Sequence, residues 1–324
     1  MVKEKLLPNI LIDFLNHLEN IEGKTKTTID DYTCDLHMFL SYLYLDKRSK
    51  KITENTQLTM ININKISIKF IQDITVKNIY DFLEYLNQRG NSQSTITRRV
   101  MSIKSFYHYL YMVDIIQKDI VADIKTKQAK TEEQAYFNTE EMNKILQALK
   151  ESNNRNKVRD YSIILMLMTL GLRNSELRNL KLKDIDFNSG KIRILGKGEQ
   201  IRYTCLNNSL RKSLNNWMEI RKDINIKTGN ENYIFISQQG KQINRDVLNR
   251  IVKRYVALAG FDSKKYHTHS LRHSAINEML KTTGNIKLTQ QLSGHKSAKT
   301  LLDYYAHTTN NELKEAIANV GLGE

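Results

Sequence analysis

Apolar residues recur at helical spacing along most of this chain, whereas the two-residue period of a β-strand appears in one place. In residues 27–43, 75–86 and 92–111, apolar positions fall three or four residues apart, as they do on one face of an α-helix. Thr27 or Thr28 is the expected N-cap of the first of these helices. The pattern predicts a mainly helical protein.

One β-hairpin interrupts the helical pattern. The sequences KIRIL (191–195) and IRYTCL (201–206) alternate with a period of two and flank GKGEQ (196–200), which is typical of a turn. The apolar run at 161–172 is too short for a membrane span and predicts a buried helix. Further helices are expected at 138–149, where a capping pattern opens the segment, and near 209–222, 244–259, 270–281 and 311–319.

The length and one polar stretch predict two domains. A chain of 324 residues is long enough for two domains of about 150 residues each. Residues 123–135 are polar without an apolar face, so we expect a linker there, between domains at 1–122 and 136–324. Residues 46–72 are rich in Lys, Asn and Thr and are interpreted as an insertion or a long loop.

The charge of the chain predicts a polyanionic partner. Lys and Arg number 50 against 35 Asp and Glu, which gives a net charge of +15. No apolar run reaches the roughly 20 residues of a membrane span, and the first residues lack the core of a signal peptide. Cys34 and Cys205 lie far apart and form no disulfide framework or zinc pattern. These observations favour a nucleic-acid partner in the cytoplasm and no membrane.

Four short stretches and a tyrosine pair carry residues suited to chemistry. Each alone is common: an arginine after an apolar helix, a lysine in a hairpin, histidines on a helix. The candidates are Arg173 and Glu176 in TLGLRNSEL, Lys197 in GKGEQ, His269 and Arg272 in HTHSLRHSA, His295 in QLSGHKSAKT, and Tyr304 and Tyr305 in TLLDYYAHTT.

Together these residue types fit phosphoryl transfer on DNA without a metal. Two guanidinium groups can bind the nonbridging phosphate oxygens and stabilise the charge that grows on them in the transition state. A phenol is a suitable covalent nucleophile at phosphorus, and a lysine can protonate the leaving 5′-oxygen. A histidine can take the phenol proton or hold the phosphate.

The ordered set resembles the tyrosine recombinase (phage integrase) family, and most closely its short Xer-like and transposon-encoded members. The family pattern is Arg, a hairpin Lys, His-x-x-Arg, Gly-His and Tyr, with an acidic residue after the first Arg. It falls here on Arg173, Glu176, Lys197, His269, Arg272, His295 and the tyrosine pair. Ser293 stands before Gly294 and His295, where the family often has Leu-Gly-His without the serine, and the linker lacks the proline common in the family.

The resemblance implies a fold and a mechanism. It implies an N-terminal SAM-like core-binding bundle and a helical catalytic domain with a small antiparallel sheet. Four protomers would synapse two DNA sites with inverted repeats and exchange strands through a 3′-phosphotyrosine and a Holliday junction, without a cofactor. A second recombinase or an accessory protein is compatible with it. On the helix at 92–111, Arg98, Arg99 and Lys104 are candidate DNA contacts.

The resemblance favours Tyr305 as the nucleophile. Members with the longer spacing from the Gly-His motif resemble Leu-Asp-x-Tyr-x-His, which Leu302, Asp303, Tyr305 and His307 fit. Tyr304 is the alternative, although Ala306 then takes the place of the histidine.

Two other functions remain open from the sequence. A metal-dependent nuclease would use histidines, but no carboxylate cluster accompanies them, and hard cations prefer oxygen ligands. Its candidate ligands are His267, His269, His273 and His295. A non-catalytic DNA-binding regulator of the same fold would be expected to lack a catalytic residue, and none is missing from the pattern.

Overall fold

The computed structural model describes residues 4–48, 52–53, 56–125, 136–196 and 200–294. Within those ranges the chain forms twelve α-helices and one two-stranded antiparallel sheet, which confirms the predicted mainly helical fold. It divides into two compact units, Met1–Thr131 and Glu132–Glu324. No helix in the described part is both long and apolar enough to span a membrane.

Among its described residues, the N-terminal unit is a bundle of five α-helices. The helix at Lys26–Asp46 is capped by Thr25, whose Oγ1 accepts from the Thr28 amide at 3.4 Å, so the prediction of Thr27 or Thr28 as the cap is wrong. Thr75 and Ser92 cap the fourth and fifth helices. The helices are α1 Asn9–Asn20, α2 Lys26–Asp46, α3 Ile68–Gln72, α4 Val76–Gln88 and α5 Gln93–Met112.

Part of the segment 46–72 belongs to the core of this bundle. A 3-10 helix at Leu58–Met60 and helix α3 lie within it, and Leu58, Ile63, Ile66 and Ile71 are buried with the aromatic core. The interpretation as an insertion or long loop is therefore wrong for residues 58–72. The apolar residues there follow neither the helical nor the strand period, so the polar composition hid them.

The C-terminal unit contains seven helices and the hairpin among its described residues. Its strands pair antiparallel, with Arg193 opposite Tyr203 and Ile194 opposite Arg202. The elements are α6 Thr139–Glu151, α7 Lys157–Leu170, α8 Asn174–Asn179, β1 Lys191–Leu195, β2 Ile201–Cys205, α9 Asn208–Lys222, α10 Arg245–Leu258, α11 Thr268–Thr283 and α12 Ile286–Ser293. The predicted helix at 311–319 and most of the predicted linker lie outside the described residues.

Helix α7 is the central element of this unit. It packs against α6, α9 and α11, and most of its residues are buried, as the apolar run at 161–172 predicted. Gly171 ends the helix in the left-handed conformation, with φ of 57°, a conformation that glycine adopts without a Cβ penalty. The chain then leaves the core at Arg173, the first residue of the candidate site.

Phe137 fixes the start of the C-terminal unit to helix α11 and the loop before it. Its ring stacks on Tyr266 with centroids 4.1 Å apart, and its amide donates to Ser274 Oγ at 2.7 Å. The side chain is almost fully buried, whereas that of the preceding Tyr136 is exposed. The contact matters for function because Ser274 lies on the helix that carries His269 and Arg272.

We expect Phe137→Ala to lower the free energy of unfolding of this unit by about 3–5 kcal/mol, because it removes a buried ring and leaves a cavity. Trp217 is the single tryptophan and is buried in this unit, so its fluorescence during urea unfolding reports on the unit alone. Tyr136→Ala is the matched control and should change the value little. Equal losses in the two variants would contradict the packing described here.

Candidate active site

The site is built at the end of α7, where two short backbone features place Arg173. The first feature is the start of α8, because Arg173 is the N-cap residue of that helix. A Cβ on Gly171 would lie 3.5 Å from Ala275 and Ile276 of α11, which shows how closely the two elements approach. The side chain of Arg173 is thereby held beside Arg272 of α11.

The carboxylate of Glu176 lies at the centre of the site. The Arg173 amide donates to Oε2 and Arg173 Nη1 donates to Oε1, each at 2.8 Å. Arg202 of strand β2 donates from Nη1 to Oε1 and from Nη2 to Oε2, both also at 2.8 Å. This second pair is the bidentate geometry in which arginine and carboxylate interact most strongly.

The arginines keep Glu176 ionised despite its burial. Burial alone would raise the pKa of Glu176, but the hydrogen bonds and charge of Arg202 and the bonds from Arg173 outweigh it. The result is a pKa lowered from 4.5 to about 2. A buried carboxylate with these partners is a fixed negative charge that orients arginines and does not act as an acid or a base at neutral pH.

Arg272 completes the arginine cluster. Its Nη1 lies 3.9 Å from Glu176 Oε2 and donates to the Gly171 carbonyl, and its Nη2 donates to the Ser293 carbonyl at 2.8 Å. The Arg272 side chain is 2% exposed, whereas that of Arg173 is 30% exposed. Arg173 is therefore the arginine of this pair that a ligand from solvent reaches more easily.

Three arginines hold the end of helix α12. The consecutive carbonyls of Leu292, Ser293 and Gly294 accept from Arg202 at 2.9 Å, Arg272 at 2.8 Å and Arg173 at 2.8 Å. Cations at a helix C-terminus satisfy its unpaired carbonyls and interact favourably with its dipole. The cluster thus fixes the backbone immediately before His295.

Sequence reasoning missed Arg202, although the strand pattern contained a sign of it. Ile192 and Ile194 are the buried positions of β1, and Arg202 is directly opposite Ile194. The inward face of a hairpin normally carries apolar residues, so a charged residue there requires a buried partner. That partner is Glu176, which the resemblance had already selected.

His269 lies in the first turn of α11, three residues before Arg272, so the two side chains share one face of the helix. Its side chain reaches the surface, yet desolvation by the surrounding protein lowers the pKa of His269. Arg272, His267, Arg173 and Arg245 lower it further. His269 is consequently neutral at physiological pH and able to accept a proton.

The structure places Arg173, Glu176, His269 and Arg272 close to one another. Gly196, which precedes Lys197, lies at the same place, because a Cβ on it would be 3.6 Å from Glu176 Oε1. Four of the predicted residues, Lys197, His295, Tyr304 and Tyr305, lie outside the described residues. Within the described ranges, no group of three His, Cys, Asp or Glu side chains is placed to hold a metal ion.

The three candidate DNA contacts of helix α5 each make a contact within the N-terminal unit. Arg98 forms a bidentate pair with the buried Asp35, and Arg99 Nε lies 3.5 Å from the same carboxylate. Lys104 Nζ donates to the Ala122 carbonyl at 2.9 Å. Arg98 keeps 45% of its side chain exposed, against 12% for Arg99, so Arg98 is the more accessible of the two arginines from solvent.

Comparison with known proteins identifies the family of this chain. The Phage integrase family matches residues 135–312, and the phage integrase N-terminal SAM-like domain matches residues 58–112. The tyrosine recombinase XerC of Caldanaerobacter subterraneus subsp. tengcongensis is 31% identical, with 96% of this chain and 86% of that protein covered. The chain belongs to the phage integrase family. It is an enzyme of the tyrosine recombinase class, which cleaves and rejoins DNA in site-specific recombination.

Solved structures show the same fold. The recombinase XerH bound to a palindromic difH substrate matches with a TM-score of 0.67 and 22% identity, over 91% of this chain and 84% of that one. The Tn1549 transposon integrase in complex with circular intermediate DNA matches with a TM-score of 0.68 and 19% identity, over 95% of this chain and 98% of that one. Both neighbours are described bound to DNA.

The low pKa of Glu176 predicts a specific pH dependence of stability. Because the folded pKa lies below 4.5, the stabilisation is fully present above that value and is lost as the pH falls toward 2. We expect Glu176→Gln to lower the free energy of unfolding by about 3 kcal/mol at pH 7. The deficit relative to the wild type should shrink by about 1 kcal/mol at pH 4.

Urea unfolding followed by Trp217 fluorescence at the two pH values measures this deficit. Glu219→Gln is the matched control, because Glu219 is an exposed glutamate paired with Lys222 and should show no such pH-dependent difference. A deficit of Glu176→Gln that stays the same at pH 7 and pH 4 would show that the carboxylate is not held in its charged form.

Proposed function

We propose that this recombinase cleaves duplex DNA at a specific site with Tyr305, through a 3′-phosphotyrosine intermediate. The observation that supports the proposal best is the cluster around Glu176, which joins Arg173 and Arg272 and lies beside the neutral His269. These residues come from the N-cap and first turn of α8 and from α11, in the chain order of the family pattern. The arrangement is suited to an anionic phosphodiester.

Each residue has a role in the proposed reaction. The phenol oxygen of Tyr305 attacks phosphorus and the bond to the 5′-oxygen breaks, while His269 accepts the phenol proton and Lys197 protonates the leaving oxygen. Arg173 and Arg272 stabilise the negative charge that develops on the nonbridging oxygens. His295 holds the phosphate. The 5′-hydroxyl of a partner strand reverses the steps, so that the phosphodiester bond energy is kept.

Recombination between two duplexes implies an assembly. We propose that four protomers synapse two sites with inverted repeats and exchange the strands in two steps through a Holliday junction. The known relatives support two biological settings: XerC and XerH are named as Xer recombinases, and the Tn1549 protein as a transposon integrase. Resolution by an Xer-like enzyme and movement of a mobile element share this chemistry, and both take place in the cytoplasm. A second recombinase or an accessory protein fits either setting.

We propose that basic side chains contact the DNA backbone in both units. In the N-terminal unit we propose Arg98 as the main contact on α5, supported by Arg99 and Lys104. The excess charge of +15 predicts that affinity falls steeply with salt, because each neutralised phosphate releases counterions.

The nucleophile is tested by trapping the covalent complex. The substrate is a duplex that the wild-type chain selects from a random pool. A nick next to its cleavage site prevents religation after cleavage. Tyr305→Phe should bind this duplex and form no adduct, because the variant lacks the attacking oxygen. Tyr304→Phe is the matched control and should still form the adduct. Denaturing electrophoresis of labelled DNA measures both.

The opposite result would move the nucleophile to Tyr304 and keep the remaining roles. An adduct in the double variant would contradict the covalent tyrosine mechanism. Binding of the selected duplex without any wild-type adduct would favour the non-catalytic regulator.

The reaction should proceed without a metal ion. Arg173, Arg272 and Lys197 supply the positive charge that a divalent cation supplies in nucleases. We expect the wild type to form the adduct at an unchanged rate in EDTA. Adding Mg²⁺ should not be required in any wild-type preparation. Dependence of the cleavage step on Mg²⁺ would instead support a metal-dependent nuclease.

A further inference from the structure

We infer that Arg202 is a positioning residue for DNA cleavage. It joins Glu176 to the end of helix α12, and these two groups orient Arg173 and Arg272. The inference rests on the proposed function, because it assigns a role within the same site. Arg202 Nε donates to the Leu292 carbonyl at 2.9 Å, and its two Nη atoms donate to Glu176 at 2.8 Å. One guanidinium thus connects strand β2, helix α8 and helix α12.

Arg202 is unsuited to binding the phosphate itself. Its side chain is 11% exposed, and both of its Nη atoms are paired with the Glu176 carboxylate, whereas those of Arg272 donate to the neutral carbonyls of Gly171 and Ser293. Arg173, by contrast, is 30% exposed. The contribution of Arg202 must therefore pass through the groups that it holds.

Those groups control both proposed phosphate-binding arginines. Glu176 fixes Arg173 through its backbone amide and its Nη1. The turn after Leu292 supplies the carbonyls that orient Arg272 and Arg173. Because phosphoryl transfer depends on the placement of charge around phosphorus, a small displacement of these arginines is expected to slow the reaction strongly.

Gly294 gives independent support for the importance of this packing. Its φ of 68° is left-handed, and a Cβ there would lie 2.9 Å from Arg202 Nη1 and 3.2 Å from its Cζ. The guanidinium has little freedom to move away, because three hydrogen bonds hold it. The glycine of the Gly-His pattern is thus required at this position by Arg202 as well as by the helix end.

The test compares two arginines of the same hairpin. Arg202→Gln removes the charge and the bidentate fork, and Arg193→Gln is the matched control, since Arg193 pairs with Asp184. On the nicked selected duplex we expect Arg202→Gln to form the covalent adduct about 100-fold more slowly, with a Kd within about threefold of the wild type. Arg193→Gln should stay within about threefold in both. Arg202→Lys should be intermediate, because an ammonium keeps the charge but not the planar fork.

Two readouts separate positioning from a general loss of structure. Arg202→Gln should slow the Glu176→Gln variant much less than it slows the wild type, because the two residues act as one unit. The loss of unfolding free energy on acidification should begin at a higher pH in Arg202→Lys than in the wild type, because Glu176 loses part of the interaction that lowers its pKa. A wild-type rate in Arg202→Gln, or an equal loss in both backgrounds, would overturn the inference.

A failure of the proposed function has a different outcome. If the wild type forms no adduct, the cleavage mechanism fails, and the role of Arg202 is then decided by urea unfolding. Strongly non-additive effects of Arg202→Gln and Glu176→Gln on the free energy of unfolding would keep Arg202 as the residue that holds the carboxylate. Additive effects would overturn that as well.

Discussion

The buried carboxylate of Glu176 is the interaction on which the rest of the site depends. A buried charge is tolerated only when it is well paired, and here Arg173 and Arg202 donate four hydrogen bonds to it. With Arg272 beside it, three guanidinium charges and one carboxylate leave a net charge of +2. The protein therefore concentrates positive charge at one point while each arginine keeps a defined direction, which is what binding a phosphodiester anion requires.

The same arginines determine where the chain leads after α12. They bind three consecutive main-chain carbonyls, so the end of this helix is attached to the cluster whatever side chains stand there. A short helix of eight residues has little stability of its own, and this attachment supplies part of it. The arginines proposed to bind the phosphate and the backbone before His295 are consequently parts of one structural unit.

The sequence predicted the long elements and the order of the site, and it failed where periodicity is short or absent. The helices containing 75–86 and 92–111 and the hairpin were found because several apolar positions repeat in each. Helix α8 has six residues and α12 has eight, too few for a period to show. Arg202 was missed because its importance lies in two partners, Glu176 and Leu292, that are 26 and 90 residues away in the chain.

The histidine of the site depends on the same electrostatics. In the DNA-free protein, desolvation and the nearby arginines lower the pKa of His269 and keep the ring neutral. In the proposed reaction a phosphodiester brings negative charge to those arginines and offsets their effect on the ring. The basicity of His269 would then rise as the substrate binds, when the phenol of the nucleophile has to lose its proton. One cluster of arginines would thus bind the phosphate, stabilise the transition state and keep His269 unprotonated until the DNA is bound.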